Sequence, residues 1–486
     1  MIELPNIQLA AIYPEIAVLL LAFVVLAVDF VVPANKKSTL GYLTIAGLVL
    51  LLIYMPFAYI SNEATFSGMV LSDSYAILFE WIFILAALFT VIHSIHYLKL
   101  ERIRTGEYYQ FVLYATLGMM VMAKGNDLMA IYVGLELMSI SLYIMSAIGK
   151  DRIRSTEAAM KYLILGALAS GILLFGMSYI YGLTGSTNLY AISSSLQSGN
   201  NNFLIYTGIL LVAVGFSFKM ALVPFHSWAP DVYEGAPTSV TAFMSSGPKA
   251  AALAIFLRVF VESFHGFEEQ WTLFLWFFSA ASMLFGSIVA ISQKNIIRML
   301  AYSSITHAGT IMLGLLAFNE LGIASAVYYM MVYLFMNMGA FGVVIFIRYK
   351  EDRGEDINIF CGLGKTHPVA AFLLTLFLLS LAGIPPTGGF VVKFYVFSSA
   401  IQAGYLWLVI IAALSTVISL YYYLRVIVFM YMKEPAEGQS VNTTPLQWSA
   451  VAISAVFTIV MGVIPAPFMG WATAAVKGLI SSFHSF

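Results

Sequence analysis

Five titratable side chains stand where an apolar sequence has least room for them. Glu136 lies in YVGLELMSISLYIM, Lys219 in GFSFKMALVPF, Lys249 in SSGPKAAALAIF, His307 in AYSSITHAGTIMLG and Lys393 in GGFVVKFYVF. An ionisable group inside a long apolar stretch is costly to keep and by default marks a task. The chemistry open to this set is proton transfer. Burial favours the neutral forms of carboxyl and amine, a nearby opposite charge favours the ionised forms, and a group poised between the two can take up and return a proton. Glu136 and Lys219 read as a carboxylate–lysine pair, and histidine is the side chain most readily moved across neutral pH. Each residue also has a plainer reading. Glu136 and Lys219 can be a static ion pair, His307 a hydrogen-bonded packing residue, and Lys393 the partner of an acid on another subunit. Lys249 follows Pro248, which suits the first turn of a helix, so it reads as a helix entry where the dipole opposes an ammonium.

Prolines position these groups. Pro224, Pro230, Pro237 and Pro248 punctuate Gly215–Arg258, and GIPPTGG (Gly383–Gly389) interrupts another apolar run. A helix broken at membrane depth frees carbonyls that need a protein or water lining, so both stretches suggest a polar path. His226 follows Pro224 and is a second histidine candidate, whereas His93 and His96 read as interface residues beside a basic loop. Tyr302, Ser303 and Ser304 are placed to hold bridging water or to lock helices together. Asp231 and Glu234, in WAPDVYEGAPT, read as a turn. Arg258 and Arg425 read as snorkelling or pairing with a partner subunit, and Glu80, Glu157 and Lys161 as edge residues that line an entrance or an interface.

The chain has 486 residues, 61% hydrophobic and only 10% charged, with a net charge of -1. That balance describes a polytopic, all-α membrane protein and argues against a nucleic-acid binder. One cysteine, Cys361, excludes an intrachain disulfide and a cysteine-rich zinc or iron–sulfur site. The first apolar run has no basic leader and reads as a retained span. Apolar segments number about fourteen, at 7–32, 40–60, 75–96, 108–123, 127–148, 158–182, 203–224, 237–262, 271–291, 298–317, 321–347, 368–402, 405–432 and 449–472.

Loops after odd-numbered segments hold Lys36, Lys37, Lys99, Arg102, Arg104, Lys150, Arg152, Arg154, Lys294, Arg298, Arg348, Lys350, Arg353, Lys365 and Lys433; between segments, the other side has Lys124 alone. The positive-inside rule then puts the N-terminus outside the cytoplasm, and an even count of crossings returns the C-terminus to the same side. The interrupted segments, seventh and twelfth, are an odd number of crossings apart. Parallel stretches would therefore cross in opposite directions, the arithmetic of an inverted repeat.

LVPFHSWAPDVYEGAP (Leu222–Pro237), SGPKAA (Ser246–Ala251), SSITHAG (Ser303–Gly309) and SLAGIPPTGGFVVKF (Ser380–Phe394) resemble the proton-conducting, antiporter-like membrane subunits of respiratory complex I over nearly the whole chain. Lys393 resembles the N-type branch, since M-type members usually carry glutamate there. The resemblance implies a fourteen-helix fold: helices one to three over 1–105, a first five-helix repeat over 106–265, an inverted second repeat over 266–434, and a last helix and tail over 435–486. It implies that Glu136, Lys219, Lys249, His307 and Lys393 carry protons, and that this chain has no cofactor. FMN, iron–sulfur clusters and quinone would belong to partner subunits. Expected partners are small K- and J-like membrane subunits, an M-type antiporter-like subunit, lipids, protons and internal water. A subunit of a related cation/proton antiporter or membrane-bound hydrogenase is the alternative.

Overall fold

Side chains that accept orphan amides mark the helix starts. Asp73 accepts from the Ala76 amide, Asp127 from Met129, Asn295 from Ile297 and Arg298, and Asn319 from Gly322, while Thr444 and Gln447 form a reciprocal capping box. The protein is known here as a computed structural model that describes residues 7–33, 36–103, 106–149, 152–198, 203–349, 352–353 and 355–481. Arg104, Lys150 and Lys350 of the basic-loop pattern lie outside the described residues.

The helices are α1 (Tyr13–Val31), α2 (Ser38–Tyr54), α3 (Ser74–Leu100), α4 (Glu107–Lys124), α5 (Leu128–Ser146), α6 (Ile153–Thr184), α7 (Leu189–Ser198), α8 (Phe203–Met220), α9 (Trp228–Gly235) and α10 (Thr238–Arg258). They continue with α11 (Glu268–Ser292), α12 (Ile296–Ala317), α13 (Glu320–Phe346), α14 (Leu363–Thr366), α15 (Pro368–Ala382), α16 (Gly388–Gln402), α17 (Leu406–Met432), α18 (Pro445–Val463) and α19 (Ala466–Ser481). A small antiparallel sheet, β1 (Ile347–Tyr349), β2 (Asp352–Arg353) and β3 (Gln439–Val441), has the order β2-β1-β3. Among the described residues, twelve helices are long and apolar enough to cross a bilayer. The shorter, more polar α4 and the broken pair α15–α16 complete about fourteen crossings, so the chain is an all-α polytopic membrane protein.

Helices α10, α12 and α13 are buried almost throughout, whereas α1, α2, α6, α17 and α18 turn apolar side chains outward, as lipid-facing helices must. Two of the titratable residues, Lys249 on α10 and His307 on α12, therefore sit in the central helices. Crossings alternate between an N-terminal edge, where α1 begins, and a basic edge, where α1 ends. Glu101 ties the basic edge together, pairing its buried carboxylate with Arg152 and Arg348.

Two crossings are broken in the same way. After α8, Ala221 is left-handed (φ 58°) and the Leu222 amide donates to the Ser217 carbonyl at 2.9 Å. After α15, Gly383 is left-handed (φ 88°) and the Ile384 amide donates to the Leu379 carbonyl at 3.0 Å. Both are Schellman-type ends, and each break contains a cis peptide, Val223–Pro224 and Pro385–Pro386. A second echo joins helix caps. Asp127 bridges Asn188 at the N-terminal edge, and Asn295 bridges Asp356, at the same spacing in sequence, at the basic edge.

Several expectations need correction. Pro248 lies inside α10 and does not start a helix, so Lys249 is mid-helix, away from any N-terminal dipole. The amide that Pro248 lacks leaves the Met244 carbonyl free, and the Tyr233 hydroxyl donates to it at 3.3 Å. WAPDVYEG is a helix, α9, because Pro230 falls in its first turn, where no amide donor is needed. The last apolar segment is two helices: α18 ends at Val463 and α19 folds back against α3 and α13. His93 is fully buried against Phe346, because α3 is enclosed by α10, α13, α18 and α19. Arg258 and Arg425 find partners in this chain: Arg258 pairs with Asp73 and Glu262, and Arg425 donates to the Ile291 and Gln293 carbonyls at the end of α11.

Candidate functional site

The Asp127 cap starts α5, which places Glu136 more than two turns below the N-terminal edge, with Ser139 one turn further. Lys219, on the last turn of α8, donates to Ser139 Oγ at 2.7 Å and lies 5.7 Å from the centroids of the Tyr143 and Phe218 rings. Glu136 is near enough for its charge to act on Lys219, but the two form no ion pair among the described residues, and Glu136 Oε1 has no hydrogen-bond partner there. Structure and sequence thus agree on the neighbourhood and differ on the contact: a hydroxyl on the next turn takes the lysine.

Lys249 projects from the middle of α10 onto α12, where it donates to Ser304 Oγ at 2.8 Å and to the Ser304 carbonyl at 3.0 Å. One turn on, His307 Nδ1 bonds the Tyr329 hydroxyl at 2.7 Å and Nε2 the Tyr423 hydroxyl at 3.3 Å. The Tyr423 hydroxyl also bonds Ser303. His307 is within electrostatic reach of both Lys249 and Lys393, as its position in the chain suggested. Lys393, on α16, reaches back across the break and donates to the Leu381 and Ala382 carbonyls at 3.0 Å each. Those carbonyls are orphans of the α15 C-terminus, where the helix dipole favours a cation. All three lysines and the histidine are buried.

Glu157 and Lys161, read in sequence as lining an entrance or an interface, belong to a charged vestibule at the basic edge whose other members, Asp231, Glu234 and Arg298, sequence reading missed. Arg298 bonds Asp231 and Glu234 at 2.8 Å each, and Lys161 bonds Asp231 at 2.9 Å and Glu157 at 2.8 Å. With Arg154 they line a cavity of about 210 Å³. Beside it, Tyr143 meets Tyr162 edge-on and Trp228 stacks between Tyr162 and Phe218, with ring centroids 4.5–5.4 Å apart along a row leading toward Lys219. The available signal was the spacing of Asp231 and Glu234, one helical turn apart on one face. His226 sits in the α8–α9 break, half-buried against Phe285.

The transmembrane family described as NADH:quinone oxidoreductase/Mrp antiporter matches residues 125–419, which include all five candidate residues. NADH-quinone oxidoreductase subunit N of Trichlorobacter lovleyi is 43% identical over 97% of this chain and 98% of its own length. The chain belongs to this family. A second subunit N, from Rhizobium meliloti, is 41% identical over 96% of this chain and 97% of its own. Among solved structures, a chain of respiratory complex I from Thermus thermophilus superposes with a TM-score of 0.80 at 30% identity, covering 94% of this chain and 98% of that one. A chain of the Mrp complex from Dietzia reaches a TM-score of 0.84 at 19% identity over 99% of each and shares the fold. The resemblance read from the four motifs, and the antiporter-like fold it implied, are therefore borne out.

Proposed function

We propose that this chain is a proton-translocating membrane-arm subunit of an NADH–quinone oxidoreductase, with Glu136, Lys219, Lys249, His307 and Lys393 as its proton stations. One observation carries this reading: Lys219, Lys249 and Lys393 are each held by a neutral acceptor, Ser139, Ser304 or the α15 carbonyls. A lysine locked to a carboxylate cannot lose its proton without stranding a buried charge. A lysine on a hydroxyl or carbonyl can, because a neutral amine keeps both kinds of bond. Protons enter from the vestibule at the basic edge, Glu136 sets the charge state of Lys219, and Lys249, Ser304 and His307 connect laterally to Lys393.

NADH oxidation and quinone reduction fall to partner subunits, which hold FMN, iron–sulfur clusters and quinone. The partners in contact are an M-type antiporter-like subunit and small K- and J-like subunits. The basic edge faces the cytoplasm and both termini the periplasm. Residues 106–265 and 266–434 form the two inverted repeats, a reading supported by the matched Schellman ends and the matched cap bridges. The test is proton pumping by the assembled enzyme in sealed vesicles, wild type against Lys219→Ala, with redox turnover recorded in parallel. Loss of pumping with assembly retained is the expected result, and undiminished pumping overturns the assignment.

A further inference from the structure

Outside the lysine row, a second group of charges is buried near the N-terminal edge. Glu15 is in the first turn of α1, Lys124 is the last residue of α4, and Glu80 lies six residues into α3, about 9 Å below the helix start at 1.5 Å per residue. Lys124 Nζ lies 2.8 Å from Glu80 Oε1 and 2.9 and 3.0 Å from the two Glu15 oxygens, and it also donates to the Ala11 carbonyl at 2.9 Å. Its hydrogen bonds go to the Ala11 carbonyl and Glu15 Oε2, and the Glu80 contact is an ion pair without a hydrogen bond. Among the described residues neither Glu80 oxygen has a hydrogen-bond partner, although the Glu80 side chain has 0% exposure. The main chain closes over the site, with Val70 bridged to Gly125 and the Leu71 amide bonded to the Lys124 carbonyl.

Two carboxylates and one ammonium leave an uncompensated negative charge. A carboxylate so enclosed is relieved by binding a proton, because burying it ionised and unbonded is far more costly. Both carboxyls lie within 3.0 Å of the same ammonium, which sets the two acids beside one another, and ionised neither has a proton to donate to the other. The neighbouring Arg258 cluster has the same formal charge and a different solution. Asp73 accepts from Arg258 and from the Ala76 amide, and Glu262, with a side chain 14% exposed, reaches solvent. Charge count alone therefore does not make a proton site; the enclosure and the unbonded carboxyl of Glu80 do.

We propose that Glu15, Glu80 and Lys124 form a proton-binding site that holds one exchangeable proton between the two carboxyls, separate from the Glu136–Lys393 row. With the proton bound, the group is one ammonium, one carboxylate and one neutral carboxyl, with no net charge. Release leaves a net charge of minus one on the group. The ligand is the proton itself, exchanging with the N-terminal edge beside Glu15. The site does not depend on the transport reading above.

Infrared difference spectroscopy of the full chain with its native partners tests this, using H2O/D2O exchange as the probe. Wild type is expected to show a protonated-carboxyl C=O band that shifts in D2O, is lost in Glu80→Gln and in Glu15→Gln, and persists in Lys219→Ala. In Lys124→Met both carboxyls must become neutral, so the band is expected to grow about twofold. If Glu80→Gln fails to accumulate, Glu15→Gln and Lys124→Met supply the same subtraction. A band unchanged in Glu15→Gln and Lys124→Met, or one that does not shift in D2O, overturns the proposal whatever the pumping assay gives for Lys219→Ala.

Discussion

The two broken crossings have nearly the same backbone and different chemistry. Each ends its first half in a left-handed residue, closes with an amide bonded five residues back, and turns through a proline pair or single proline. In the first, the lysine precedes the break: Lys219 is on α8. In the second it follows: Lys393 is on α16. Because the crossings run in opposite directions, both lysines belong to the half-helix that leads to the N-terminal edge. Their acceptors differ as well. Lys219 leaves its own helix to find Ser139, while the Phe218 carbonyl is taken by the Trp228 indole at 3.0 Å. Lys393 stays at its break and caps the α15 carbonyls. The difference teaches that a broken helix supplies a depth and a set of free backbone groups, and that side-chain placement decides whether the lysine uses them.

The largest effect should come from removing the lysines. Lys219→Ala is expected to lower coupled proton transfer on the order of 10²-fold, the scale of losing a positioned proton carrier, with the complex assembled. Lys393→Ala should cost as much transport, and it should also loosen the second break, because the Leu381 and Ala382 carbonyls lose their donor. The comparison sharpens with Lys393→Arg. Guanidinium can still donate to both carbonyls and does not deprotonate, so assembly should be normal and pumping lost. Full pumping by Lys393→Arg, measured in sealed vesicles, would show that Lys393 is a cap and not a carrier.

A smaller effect separates the two breaks by packing. Gly389, third after Pro386, has its backbone so close to α15 that a Cβ would stand 1.8 Å from the Ser380 carbonyl oxygen. The corresponding residue after Pro224 is Ser227, which already has a side chain and is exposed. Gly389→Ala is expected to destabilise the subunit by about 1–3 kcal/mol, as overpacking does, and Ser227→Ala to change little. Thermal dissociation of the detergent-solubilised complex reads both. Equal effects would mean that the breaks are packed alike.

Much of this was legible in the sequence, and the limits have physical causes. Apolar run length gave the crossings, and GIPPTGG gave the second break with both of its ends, because glycine and proline act locally. Proline also misled. At Pro230 it starts a helix and at Pro248 it sits inside one, where Tyr233, distant from the carbonyl's own turn, satisfies the freed Met244 oxygen. The five titratable residues were found from one-dimensional context alone, since a charge among apolar neighbours is conspicuous. Their acceptors were not, because Ser139 and Ser304 are unremarkable in sequence and gain meaning only when α5 meets α8 and α10 meets α12. Glu80 and Lys124 looked like edge residues for the same reason: depth depends on what packs over a helix end, and the main chain at Val70 and Leu71 closes this one.

The smallest effect tests the shared backbone of the breaks. Gly383 adopts its left-handed conformation without a Cβ penalty, whereas Ala221 holds φ 58° with one. For an L-residue that conformation costs about 1–2 kcal/mol. Ala221→Gly should recover part of this, offset by the greater freedom of glycine in the unfolded chain, and raise stability by under about 1 kcal/mol. Gly383→Ala should do the reverse, with an added contact because a Cβ there would lie 3.0 Å from Lys393 Cδ. Pumping at Ala221→Gly should be unchanged, since Lys219 reaches Ser139 through its own side chain. A fall in pumping without a fall in stability would mean that the Ala221 backbone aims Lys219, and that the first break, like the second, positions its lysine directly.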